Sequence, residues 1–188
     1  VGTIKNCPVT EAERAVFDKT IIGGKCFPEN TMVLTWAGYD LRNGHYFLPI
    51  ERIEVGDGVW SRCEFTGETA YKRVTKVLRS YANVTAIFCE YGQEYYDHFM
   101  WGPGRSEPLL SATAEHPFWV EGKGWTKVRD LQPGDEFVTY NGVKAIFRAM
   151  DLDYYEETVY NLEVEDFHTY FVHTSGIWVH DAQNPHCV

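Results

Sequence analysis

The chain has 188 residues, 44% of them hydrophobic, and a formal net charge of −10. That length and composition fit one domain with short flanks and enough apolar mass for a core, and they exclude a disordered chain. The acidic balance argues against DNA or RNA as a partner, since nucleic-acid binders meet phosphates with a basic face, and no apolar run approaches a membrane span.

The first predicted element is a short helix over residues 8–20. Thr10 and Glu13 have capping-box spacing, and Ala12, Ala15 and Val16 form one apolar stripe. Gly23 and Gly24 then give a turned approach to Lys25 and Cys26. From Cys26 onward the pattern is β. Runs rich in Val, Ile, Thr and aromatics at 31–36, 71–81, 83–91, 136–140 and 158–164 are separated by turn signals such as Asn43-Gly44, Gly56-Asp57-Gly58 and Asn141-Gly142. Residues 91–110, aromatic and rich in Gly and Pro, read as a long loop or hairpin insertion. The stretch from Glu163 to Val172 reads as a strand with a turn, and Gly176 to Asp181 as a final strand.

A weak internal repeat aligns Ile50-Glu-Arg-Ile-Glu-Val-Gly-Asp57-Gly-Val59 with Val128-Arg-Asp-Leu-Gln-Pro-Gly-Asp135-Glu-Phe137. Apolar residues match at three places and Gly-Asp falls at the same place in both. The repeat predicts two related β halves about a pseudo-twofold axis.

Five cysteines occur, Cys7, Cys26, Cys63, Cys89 and Cys187. None forms a CxxC pair, so a zinc ribbon or thioredoxin-like motif is not indicated, and the odd count leaves at least one free thiol. No signal peptide is visible, and the chain reads as a piece of a longer protein.

Cys26 can attack the carbonyl just before it and convert the Lys25–Cys26 amide into a thioester. That shift needs a distorted amide and a proton for the leaving nitrogen. Thr113 and His116, in Thr-Ala-Glu-His-Pro-Phe, can hold a hydroxyl and an imidazole against one peptide group. The hydroxyl would donate to the carbonyl oxygen, and the imidazole would protonate the departing nitrogen. His168, and His180 beside Asp181, can assist attack of a terminal side chain on its own carbonyl. Singly, each has a structural alternative: an idle buried thiol, a His before a turn-forming Pro, a satisfied core His.

Together the segments resemble the Hint family of inteins, bacterial intein-like domains, hedgehog autoprocessing domains and pretoxin Hint modules. The opening block is Cys26-Phe-Pro-Glu-Asn-Thr-Met-Val-Leu-Thr35, leading to Gly56-Asp57. The middle block is Thr113-Ala-Glu-His116-Pro-Phe, leading to Gly134-Asp135. The closing blocks are Val159 to Val172 and Gly176-Ile-Trp-Val-His180-Asp181. They occur in the family's order and span residues 26–181, and the closing blocks look closest to the pretoxin modules.

The resemblance implies an all-β horseshoe with pseudo-twofold symmetry, preceded here by the short helix. It implies a flank at 1–25, an autoprocessing domain at 26–181 and a second flank at 182–188. Cys26 takes the role of N-terminal nucleophile, Thr113 and His116 activate the scissile peptide, and His168 and His180 assist at the Asp181 junction. No metal or cofactor is implied. The partners are the chain's own flanks, with a thiol or water as acceptor, in a monomer that forms part of a secreted or cell-surface bacterial precursor.

Two departures stand out. Splicing members end in Asn followed by Cys, Ser or Thr, whereas here Asp181 is followed by Ala182. Alanine accepts no acyl group, and Asp lacks the amide nitrogen that cyclises. The sequence leaves open whether Asp181 is native or altered from Asn. Asn161 occupies a place where many inteins have an Asp that tunes the nucleophile. Two alternatives therefore accompany cleavage: splicing with ligation of the flanks, with Cys187 as a displaced acceptor, and a non-catalytic Hint-fold spacer.

Overall fold

The computed structural model of the protein describes residues 24–36, 45–91, 107–151 and 154–182. The helix expected over 8–20 lies outside them. The strands are β1 (Phe27–Pro28), β2 (Met32–Trp36), β3 (His45–Pro49), β4 (Gly58–Arg62), β5 (Thr69–Tyr91), β6 (Glu107–Ala112), β7 (Pro117–Val120), β8 (Gly124–Lys127), β9 (Glu136–Phe137), β10 (Ala145–Met150), β11 (Tyr155–Val164), β12 (Thr169–Val172) and β13 (Ile177–His180). Their pairings are antiparallel, so the all-β expectation stands.

The runs at 71–81 and 83–91 are one strand of 23 residues rather than two. Tyr81, Ala82 and Asn83 keep their pairing to Thr158, Glu157 and Glu156 of β11, so the ladder runs straight through the point where the two runs meet. The expected strand at 136–140 shortens to two residues, beyond which Thr139 makes a single bridge to Ile177. Thr85–Cys89, ahead of the expected insertion, pairs antiparallel with Glu107–Ala112 at its end.

The internal repeat is a real symmetry, bond for bond. Ile50–Arg52 and Val128–Asp130 each form one 3₁₀ turn, closed by Ile53 N–H to Ile50 O and by Leu131 N–H to Val128 O, both at 3.2 Å. Gly56 and Gly134 sit at φ of +100° and +99°, a conformation that favours glycine. The carboxylates of Asp57 and Asp135 accept the backbone N–H three residues earlier, at 2.9 and 3.0 Å. Gly56 N–H donates to Val74 O and Gly134 N–H to Phe147 O. Carried outward, Ile50 N–H donates to Thr31 O as Val128 N–H does to His116 O. Val172 pairs Val33 of β2 as Val179 pairs Phe118 of β7. Thr31 and His173 of one half thus stand where His116 and His180 stand in the other.

β12 and β13 are buried on both faces. By the period of two along a strand, Tyr170, Val172, Ile177 and Val179 enter the main core with Phe27, Ile50, Phe118 and Phe137. Phe171 and Trp178 enter a second, aromatic cluster on the other side, against Trp60, Trp119 and Trp125. The last strands are therefore wedged through the middle of the domain, which brings His180 and Asp181 to full burial.

Candidate functional site

The site begins at β1. Phe27 is fully buried, pairs Tyr160 of β11 and packs on the His116 ring at a centroid distance of 4.0 Å. That anchor draws Cys26 inside, to 6% exposure, among Val84 and Val159. Burial pushes the thiol up to about 12. The thiol is therefore protonated at neutral pH.

Thr113, just past β6, grips the backbone of Cys26. Its hydroxyl accepts Cys26 N–H at 2.9 Å, while its own N–H donates to Cys26 O at 3.0 Å and its hydroxyl approaches the same oxygen at 3.4 Å. The hydrogen bond at the carbonyl of Lys25, where sequence reasoning expected the Thr113 hydroxyl, comes instead from Asn161 Nδ2. Sequence reasoning had Asn161 only as a departure and gave it no such role.

His116 is fully buried. Burial first, then the neighbouring His180 and Lys25, hold its ring well below the usual imidazole range. The backbone of Lys25 and that of His180 border the ring, but no hydrogen bond of ordinary geometry reaches either nitrogen. The imidazole is neutral at neutral pH, not a preloaded acid. The Lys25 ammonium, half-buried, is lowered by desolvation and supported by the field of Asp181.

The Asp181–Ala182 peptide arrives on the same platform. Ala182 N–H donates to Leu162 O at 2.9 Å, one residue along β11 from Asn161. Asp181 Oδ2 accepts Val164 N–H at 3.0 Å and lies 3.1 Å from His168 Nδ1; its backbone N–H donates to His168 O at 2.8 Å. The carboxylate thus closes the turn between β11 and β12, in which Asp166 and His168 take φ of +61° and +54°. His180 Nδ1 sits 3.3 Å from the Asp181 carbonyl oxygen and 3.4 Å from Oδ1.

Cys26, Thr113, His116, His180 and Asp181 are all buried around the Lys25–Cys26 and Asp181–Ala182 peptides, with His168 at the rim. Tyr170, buried in the core, also reaches the site, for its hydroxyl meets Asn161; it was legible only as an apolar strand position. Among the described residues no three His, Cys, Asp or Glu side chains gather as a metal site.

A bacterial intein-like domain from Clostridium thermocellum, solved in solution, is similar at TM-score 0.63 and 28% identity, over 83% of this chain and 98% of that one. Two inteins share the fold. One is a DnaB intein from Synechocystis sp. PCC 6803, at TM-score 0.59 and 16% identity over 85% of this chain and 99% of that one. The other is the gp41-1 intein, at 0.57 and 21% over 84% and 98%. No curated protein matches. The family model described as the pretoxin HINT domain matches residues 32–182, a span that takes in Thr113, His116, Asn161, His168 and the Asp181–Ala182 junction. With four-fifths of its length inside that match, the chain belongs to the pretoxin HINT domain family.

Proposed function

We propose that the chain cleaves its own backbone at Lys25–Cys26, with 26–181 as the processing domain and 1–25 and 182–188 as its flanks. Self-processing of flanking segments, by cleavage or splicing, is what the family's fold supports. The observation that carries the finer reading is the grip on one peptide group. Cys26 N–H is held by Thr113 and Lys25 O by Asn161, beside a neutral imidazole and a buried thiol.

Cys26 Sγ adds to the Lys25 carbonyl carbon, the C–N bond breaks, and the proton lost by sulfur ends on the Cys26 nitrogen. A neutral His116 suits the task of taking that proton and passing it on, and no external acid is consumed. Water or an added nucleophile then takes the acyl group from sulfur. The family's name and the bacterial relative support reading the domain as the processing module of a larger bacterial precursor.

Incubation with hydroxylamine, followed by mass spectrometry, tests this. The expected products are residues 1–25 as a hydroxamate and 26–188 with a free amine, and none from Cys26→Ala. Persistence of the full chain while the fold is intact rules the reaction out. At the second junction the Asp181 carboxylate is engaged by Val164 N–H and lacks an amide nitrogen. Asp181→Asn is expected to release 182–188 by succinimide formation; no release removes that part of the reading.

A further inference from the structure

Asn161 is 1% exposed in the middle of β11, and the environment dictates which way its amide points. Oδ1 accepts Leu162 N–H at 2.7 Å and the Tyr170 hydroxyl at 2.7 Å. A backbone N–H cannot accept, so the amide nitrogen cannot take that place. Nδ2 is left facing Lys25 O, to which it donates. Tyr170 is itself fully buried, and burial first, with Cys26 and Asp181 nearby, holds its hydroxyl well above the ordinary phenol range. It remains a donor, and its ring is wedged edge-on to Phe27 at 6.3 Å.

We infer that Asn161 is a catalytic residue, the donor that takes up the charge developing on the Lys25 oxygen, and that Tyr170 is the positioning residue that aims it. The inference rests on the cleavage reading above. When Cys26 Sγ adds to the Lys25 carbon, the carbonyl π electrons move onto oxygen, toward Nδ2–H. On collapse that pair re-forms the C=O bond and the C–N pair leaves with nitrogen, which takes the proton shed by sulfur. A carboxylate at 161 would set a second negative oxygen against this one.

The test is isotope-edited infrared spectroscopy of the full chain carrying ¹³C=O at Lys25, with hydroxylamine cleavage measured in parallel. The labelled amide band is expected to move to higher wavenumber in Asn161→Ala, and also in Asn161→Asp at pH 8, which keeps the side-chain shape should the alanine variant fold poorly. Cleavage is expected to slow roughly 100-fold in Asn161→Ala. Tyr170→Phe is expected to slow cleavage and broaden the band, and the double variant to be no slower than Asn161→Ala alone. A merely structural Tyr170 would give additive losses. A band unmoved in both Asn161 variants overturns the inference, however fast the chain cleaves. A band that moves in a chain that never cleaves keeps the donor and overturns the cleavage reading instead.

Discussion

Cys26 is a poor nucleophile by itself, because burial lifts its thiol to about 12. Attack from the small thiolate fraction would speed up about tenfold per pH unit from 7 to 9. A proton relay through His116 behaves differently. The thiol stays protonated to about 12, and burial keeps the imidazole neutral down to well below 6.5. Neither group titrates between pH 7 and 9, so at saturating hydroxylamine the cleavage rate is expected to be flat over that range. A tenfold rise per unit would assign the attack to free thiolate and remove His116 from the step.

Among the elements, β11 carries the organisation of the site. Val159 and Tyr160 pair with Pro28 and Phe27, Asn161 takes the Lys25 carbonyl, and Leu162 takes Ala182 N–H. Four consecutive residues thus hold both the Lys25–Cys26 and the Asp181–Ala182 peptides, and a slip of one residue would turn Asn161 away from the carbonyl. The Gly-Asp turns are the other repeated device. A Cβ at Gly56 or Gly134 meets nothing within 4 Å, so replacement there costs only the backbone conformation. Gly56→Ala and Gly134→Ala are each expected to lose about 1–2 kcal/mol, equally in the two halves, by denaturant unfolding. Gly176→Ala should lose more, because its Cβ would run into the Tyr140 ring. A clear difference between Gly56 and Gly134 would show that the two turns are not energetically equivalent.

At the scale of the molecule, the two halves differ in chemistry more than in shape. Thr31 stands where His116 stands, so the imidazole beside the junction occurs in one half, while His173 and His180 occupy equivalent places after paired strands. Burial holds His116 well below the usual range and His173 down to about 4. In the unfolded chain both take a proton near pH 6.5, and in the folded chain both resist it. Their contribution is therefore complete above about pH 6.5 and is lost as the pH falls. Between pH 7 and 5 the His173 share is about 2 kcal/mol. Urea unfolding at the two pH values should show that loss, and His173→Gln should reduce the difference. An unchanged difference would mean the ring is not held neutral.

The all-β class, the two halves and the closeness of His180 to Asp181 were all legible in the residues. They rest on local physics: side-chain alternation along a strand, a glycine at positive φ before a capping carboxylate, an acid next to a histidine in the chain. Chain order alone also put Thr113 three residues from His116, close enough to serve one peptide group. It could not say which carbonyl each donor meets. Asn161 and Lys25 are 136 residues apart, and Thr113 and Cys26 87 apart. Their meeting depends on the register of β1 on β11 and on the wedging of β12 and β13 through the core. Only the tertiary structure decides that, because register is set by which faces bury together across the whole chain. That is how Asn161, in sequence a missing acid, comes to be a donor to the Lys25 carbonyl.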